Sequence, residues 1–132
     1  MVKIVLDTNL LIAGRWNKKS SSYRILKMCV EGKLQAVYTK KIRDENLYIL
    51  GKVKAPKDYM KLIEDFYRSG RKVAQPSGRI TASVDDSDNR FLEAAVSGKA
   101  DYVISNDHHL LDLKRFEDIE IMRPARFTKM LV

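Results

Sequence analysis

Residues 2–9 read Val-Lys-Ile-Val-Leu-Asp-Thr-Asn, a β-rich run that ends in a polar turn. Because the apolar stretch 10–13 follows at once, this part of the chain predicts a strand that leads into a helix. The alternation continues, with further strands predicted at 36–38, 72–74, 102–105 and 119–122 and helices between them. Strands and helices that alternate at this spacing form a mainly parallel sheet with helices on both faces. The sequence therefore predicts an α/β fold.

Polar residues, prolines and glycines mark the predicted helix boundaries. Serines 20–22 and Thr39 are suited to cap helices, and Pro56 is predicted to begin another. Gly98 is predicted to end a helix over 87–96, which follows a turn-rich segment at 76–86.

Length and composition limit the class of protein. The chain has 132 residues, of which 45% are hydrophobic and 32% charged, so it is predicted to form one globular domain over 1–132 rather than a disordered or low-complexity chain. Its apolar stretches are too short for a membrane span, and its first residues lack the apolar core of a signal peptide. We therefore expect no membrane association and a cytoplasmic location.

Charge is distributed unevenly along the chain. Residues 1–80 carry 18 Lys and Arg against 7 Asp and Glu, whereas residues 81–132 carry 7 against 10, for a net charge of +8. A basic surface built by one part of the chain favours a polyanionic partner such as a nucleic acid, although a solvated basic surface has the same composition.

Acidic residues follow two of the predicted strands. Asp7 ends the first strand, and Asp107 comes two residues after Ser105, the last residue of the strand at 102–105. In open α/β sheets, ligands bind at the carboxyl ends of the strands. We therefore expect these acids to lie at the functional edge of the sheet.

Two further acids occupy apolar faces of predicted helices. Glu45 lies three residues after Ile42 and four before Ile49, and Asp88 lies three and four residues before an apolar pair at 91–92. Both side chains are therefore predicted to point inward.

Four carboxylates at one sheet edge would need a cation. Each acid alone has an ordinary explanation as a helix cap, a helix-dipole partner or a turn residue. Together, Asp7, Glu45, Asp88 and Asp107 would repel one another unless Mg²⁺ or Mn²⁺ neutralised them. Such a site can activate water against a phosphodiester, which indicates a nuclease.

The segments that contain these acids resemble those of a known family. They are Val-Leu-Asp-Thr-Asn at 5–9, Arg-Asp-Glu at 43–45, Asp-Asp-Ser-Asp-Asn-Arg-Phe-Leu-Glu-Ala-Ala at 85–95, and Asp-Tyr-Val-Ile-Ser-Asn-Asp at 101–107. In this order, the chain resembles PIN-domain proteins, especially the VapC-type and related toxins of prokaryotic toxin–antitoxin pairs.

The resemblance implies a fold, an activity and partners. It implies a three-layer α/β/α sandwich that acts as a metal-dependent ribonuclease on single-stranded RNA, forms a homodimer and is inhibited by a cognate antitoxin. Carried over by position, Asp7, Glu45, Asp88 and Asp107 are the catalytic and metal-binding acids, with Asn9 and Ser105 in supporting roles. Asp7 and Asp88 are the principal ligands implied. Asp44, next to Glu45, is the alternative acid of the helix, and Asp107 is implied to contact the metal directly or through water.

Other interpretations remain open. His108 and His109 could be metal ligands, but adjacent histidines at a helix start more often face solvent, so they are left outside the predicted site. Basic residues at 40–43 could guide RNA, and aromatic residues could stack on bases. Their ordinary roles are a solvated helix face and core or dimer packing.

Alternative functions belong to three classes. They are a PIN nuclease that processes RNA without being a toxin, an RNA- or protein-binding module of the same fold, and an aspartyl phosphotransferase. The last lacks the usual second Asp two residues after Asp7, where Asn9 stands, and the presence of all four acids disfavours the binding module.

Overall fold

The computed structural model describes residues 1–75 and 88–131. In that part of the chain, strands and helices alternate as the sequence pattern predicts. The strands are β1 (Lys3–Leu6), β2 (Gln35–Tyr38), β3 (Arg71–Lys72), β4 (Tyr102–Ile104), β5 (Arg115–Phe116) and β6 (Ile119–Met122). The helices are α1 (Thr8–Gly14), α2 (Ser21–Val30), α3 (Lys40–Lys52), α4 (Lys57–Ser69), α5 (Asn89–Gly98), α6 (His108–Leu111) and α7 (Pro124–Met130).

The six strands form one mainly parallel sheet. Their order is β3-β2-β1-β4-β6-β5, and all pairs are parallel except β5 with β6. The carboxyl ends of β1 and β4 are therefore adjacent, in register from Ile4 opposite Tyr102 to Leu6 opposite Ile104. This adjacency brings the residues after the two strands to one edge of the sheet.

Helices cover both faces of the sheet. Side chains that alternate along β1 enter different cores: Ile4 and Leu6 pack in one hydrophobic cluster, and Val5 packs in another. The first cluster includes residues of α2 and α4, such as Leu26 and Ile63, whereas the second includes four residues of α5. The α/β class and the three-layer arrangement predicted above are confirmed.

Local sequence signals set several helix ends as predicted. The Ser20 hydroxyl accepts a hydrogen bond from the Tyr23 amide at 3.1 Å, and the Thr39 hydroxyl accepts one from the Ile42 amide at 3.2 Å. Pro56 directly precedes α4.

Helix α5 ends at Gly98 as predicted, although Gly98 is not the residue that adopts the left-handed conformation. That conformation belongs to the C-cap residue Lys99, with φ of 54°. A Cβ atom at Gly98 would lie 2.2 Å from Val37 Cγ1, so glycine at this position permits close packing of α5 against β2.

Two elements differ from the sequence-based prediction. The strand predicted at 72–74 is observed as Arg71–Lys72, and the two-residue strand β5 was not predicted because it is too short to show a period. The predicted turn segment at 76–86, with Asp85 and Asp86, and the predicted first helical residue Ser87 lie outside the described residues.

In the described part of the chain, none of the helices has both the length and the apolar character that a membrane span requires.

Candidate active site

Asp7 is a buried carboxylate at the end of β1. Its side chain caps α1, with Oδ1 accepting a hydrogen bond from the Asn9 amide at 3.1 Å. Its other oxygen, Oδ2, accepts a hydrogen bond from the Ser105 hydroxyl at 2.6 Å. Asp7 is 3% exposed and Ser105 is fully buried, so this carboxylate is held in one orientation between two strands.

Ser105 also positions Asp107. The backbone amide of Asp107 donates a hydrogen bond to the Ser105 hydroxyl oxygen at 2.9 Å. Asp107 in turn caps α6, because its Oδ1 accepts a hydrogen bond from the His109 amide at 2.9 Å. A single hydroxyl group therefore links two acidic residues that are distant in sequence.

The surroundings of Asp7 make its ionisation costly. Burial raises the pKa of Asp7, and the charge of Asp107 raises it further. Hydrogen bonds from Ser105 and the Asn9 amide, together with the positive charge of Arg90, oppose this shift without cancelling it. A nearby cation therefore stabilises the ionised form of this buried carboxylate more than it would stabilise that of an exposed carboxylate.

Glu45 lies on α3 and is paired with an arginine. Its carboxylate forms an ion pair with the guanidinium of Arg90 on α5, and the side chain is 35% exposed. The prediction that Glu45 shares the buried face of α3 is only partly right. The buried positions are Ile42, Asn46 and Leu50, so Glu45 lies at the margin of this face and Ile49 is partly buried.

Four residues that the sequence does not single out form hydrogen bonds that connect α3, α4 and α5 to the start of α1, next to Asp7. The Thr8 hydroxyl donates to Asn46 Oδ1 at 2.6 Å, and Asn46 Nδ2 donates to the Tyr67 hydroxyl at 2.9 Å. Arg90 Nη2 donates to Thr8 Oγ1 at 3.4 Å. Asn46 could have been found from its spacing of four residues from both Ile42 and Leu50, which places a polar side chain on a buried face.

Asp88 stands at the N-terminal end of α5 and is 5% exposed, so the prediction of an inward position is confirmed. It precedes Arg90 by two residues, and the contacts of Arg90 with Thr8 and Glu45 place this end of α5 beside the carboxyl end of β1. A carboxylate at a helix N-terminus also interacts favourably with the helix dipole.

The remaining supporting residue, Asn9, is exposed, and its backbone amide bonds to Asp7.

The donor set fits a hard divalent cation. Carboxylate oxygens of Asp7 and Asp107 lie close enough for their charges to interact, and the hydrogen bonds to Asp7 leave each oxygen with a further lone pair. Glu45 differs from them, because its carboxylate is already neutralised by Arg90. An ion at this edge could therefore be held by the aspartates while the Glu45–Arg90 pair stays closed.

Two basic cavities flank this edge of the sheet. One, of about 330 Å³, follows β2 and is lined by Thr39, Lys40, Lys41 and Lys72, among others. The other, of about 630 Å³, lies beside the end of β6 and includes four cations: Lys114, Arg115, Arg123 and Arg126. Arg123 donates a hydrogen bond to Asn106, the neighbour of Asp107, at 3.3 Å, so the second cavity begins next to the acids.

Aromatic side chains of the described residues differ in exposure. Trp16 and Tyr48 are 67% and 65% exposed, whereas Tyr23 is partly buried and stacks on Tyr59 with 6.4 Å between ring centroids.

Comparison with known proteins gives a family and a fold. A family profile described as "PIN domain" matches residues 3–109, which is most of the chain. The crystal structure of VapBC2 from Rickettsia felis bound to a DNA fragment from their promoter contains a similar chain, with a TM-score of 0.60 and 14% sequence identity. The match covers 91% of this chain and 97% of that chain. No curated protein sequence gives a significant match.

Proposed function

The chain belongs to the PIN-domain family, and from this premise we propose that it is a Mg²⁺- or Mn²⁺-dependent endoribonuclease that cleaves single-stranded RNA. The observation that carries the proposal is the hydrogen-bonded unit of Asp7, Ser105 and Asp107. A buried acid with a raised pKa, held beside a second acid, is an arrangement that a divalent ion would stabilise.

In the proposed mechanism, Asp7 and Asp88 would hold the ion, and Asp107 would be a further ligand, either direct or through water. When bound, the ion supplies a water molecule of lowered pKa and neutralises charge that develops on the phosphodiester. The Ser105 hydroxyl keeps the two carboxylates in fixed relative positions by bonding to both residues. This positioning matters because a small displacement of a reacting group lowers the rate strongly.

Glu45 and Arg90 would act at the margin of the site. The Arg90 guanidinium offers donors that suit a phosphate oxygen, and it lies between Glu45 and Thr8. We propose that Arg90 orients the substrate phosphate and that Glu45 keeps Arg90 in place. The catalytic role that the resemblance implies for Glu45 would then depend partly on this ion pair.

The basic cavities support an RNA substrate that passes across the edge of the sheet. The Lys40–Lys41–Lys72 cavity and the Arg123–Arg126 cavity lie at the carboxyl ends of β2 and β6, the strands that lie on either side of the β1–β4 pair. Single-stranded RNA in an extended form could contact both cavities through its phosphates.

The biological setting is also a proposal. The resemblance to VapC-type toxins and the structural likeness to a chain of the VapBC2 crystal structure support a toxin that pairs with an antitoxin, acts in the cytoplasm and forms a homodimer. Exposed Trp16 and Tyr48 are suitable contact residues for a second copy.

The decisive experiment is cleavage of labelled single-stranded RNA and DNA with Mg²⁺, with Mn²⁺ and with excess chelator. We expect metal-dependent RNA cleavage by the wild type and a loss of at least a hundredfold for Asp7→Asn and Asp88→Asn. Asp112→Asn, which changes an exposed carboxylate at the C-cap of α6, is the matched control and should keep full activity. Cleavage that persists in chelator would refute the metal mechanism, and binding without cleavage would identify an RNA-binding module.

A further inference from the structure

Asp107, His108 and His109 form a cluster of metal-ligating side chains with a donor set unlike that of Asp7. One ligand atom from each residue lies within 4.8 Å of the other two. The two imidazole rings are 4.1 Å apart between centroids, and His109 Nδ1 is 3.6 Å from Asp107 Oδ1. We propose that these three side chains form a second cation site, selective for a transition-metal ion such as Zn²⁺, Co²⁺ or Ni²⁺.

The donor chemistry supports this selectivity. Imidazole nitrogen binds Zn²⁺, Co²⁺ and Ni²⁺ well, whereas Mg²⁺ prefers oxygen ligands and retains its waters. A site of two imidazoles and one carboxylate has the three protein ligands of an open zinc site, with a position left for water. The proposal goes beyond the nuclease function, since it concerns a different class of ion and two residues outside that mechanism.

The distances allow closure around an ion by side-chain rotation. Tetrahedral ligands at about 2.0–2.1 Å from zinc are about 3.4 Å from one another. Asp107 Oδ1 and His109 Nδ1 are already near this separation at 3.6 Å. His108 is exposed and His109 only partly buried, so their rings can rotate by the small amount needed without disturbing the core.

The backbone that carries these ligands is well supported. Asp107 is fixed by the bond from its amide to Ser105, and the start of α6 is fixed by the bond from the His109 amide to Asp107. The next residue, Leu110, is fully buried and anchors the short helix to the sheet. A rigid backbone lowers the entropy that ligand ordering would cost.

The chain has two histidines, and both belong to the proposed site, so every imidazole signal in the spectrum reports on it. Untagged, chelator-treated protein is titrated with Zn²⁺ while the ¹H–¹⁵N signals of both imidazole rings are followed. We expect both rings to shift together and to saturate at one ion per chain. Mg²⁺ at the same concentration, even when it reaches Asp107, should not coordinate the ring nitrogens and should not reproduce this joint shift. Zinc that shifts one ring alone would overturn the three-ligand site.

Variants separate this site from the acids around Asp7. His108→Gln and His109→Gln should each weaken Zn²⁺ binding on the order of tenfold or more in isothermal titration, and Asp112→Asn should not. Asp7→Asn should retain zinc binding while losing RNA cleavage, so failure of this proposal differs from failure of the nuclease proposal. Zinc binding that disappears in Asp7→Asn, or persists unchanged in both histidine variants, would refute the site. Thermal melts in chelator check that each variant is folded.

Discussion

The guanidinium of Arg90 on α5 forms an ion pair with the carboxylate of Glu45 on α3, although the two residues are 45 positions apart in sequence. Both side chains are partly shielded from solvent, with 22% exposure for Arg90 and 35% for Glu45. Arg90 also interacts electrostatically with Asp7. A single cation therefore offsets negative charge from two of the predicted site residues.

The Arg90–Glu45 pair makes a prediction about stability. Arg90→Gln should lower the free energy of unfolding in chelator by about 1–2 kcal/mol, because Glu45 and Asp7 lose their positive neighbour. Lys61→Gln is the control, since it breaks an exposed i,i+4 pair with Asp65 and should cost less than about 0.5 kcal/mol. Urea unfolding of the three proteins measures both values. Equal losses of unfolding free energy in the two variants would show that the Arg90–Glu45 pair contributes no more than an exposed ion pair.

The choice between the neighbouring acids Asp44 and Glu45 can be tested by kinetics. Asp44 is exposed and pairs with Lys40 at 3.1 Å and Arg43 at 3.3 Å, away from the Arg90 contact. Glu45→Gln should therefore lower the RNA cleavage rate by about tenfold or more, as expected for a residue that positions a catalytic group. Asp44→Asn should stay within about twofold. The reverse order would assign the functional role to Asp44.

The raised pKa of Asp7 makes apo-protein stability depend on pH. Because the folded protein holds this proton more tightly than the unfolded chain, the stability associated with Asp7 is fully present below the unfolded pKa. It is lost as pH rises through the folded pKa.

Asp7→Asn removes this titration and keeps an amide oxygen for the Asn9 hydrogen bond. We therefore expect the variant to gain Tm relative to wild type as pH rises above the ordinary aspartate range, in melts with chelator from pH 3.5 to 7.5. If the Tm difference between the variant and the wild type does not change with pH, the titration of Asp7 does not cause the pH dependence of stability.

RNA binding should depend on salt through the lysines at the start of α3. With cleavage blocked by Asp88→Asn, adding Lys40→Gln and Lys41→Gln should reduce the slope of log K against log salt by about 1.4, or about 0.7 for each lost phosphate contact to a single strand. Lys57→Gln with Lys61→Gln on α4 is the matched control of equal charge change. Fluorescence anisotropy from 50 to 300 mM salt measures the slopes, and identical slopes for both pairs would exclude a specific path past Lys40 and Lys41.

The amino-acid sequence by itself determined the fold class, because its signals are local. The β-rich run of β1, the caps at Ser20 and Thr39, and the proline before α4 each act within a few residues. The order of acids along the chain, with its resemblance to PIN domains, also predicted the family to which the profile assigns residues 3–109.

Tertiary structure decided how the acids are held. The bond from Ser105 to Asp7 spans 98 positions, and the contact of Arg90 with Thr8 spans 82, so no local period could indicate either pair. The same is true of Gly98. A side chain at this position would clash with Val37, and this becomes apparent only when α5 is packed against β2. The reason is physical: a strand or helix pattern reports which face of an element is apolar, whereas a hydrogen bond or a close contact requires two elements to meet at a set distance.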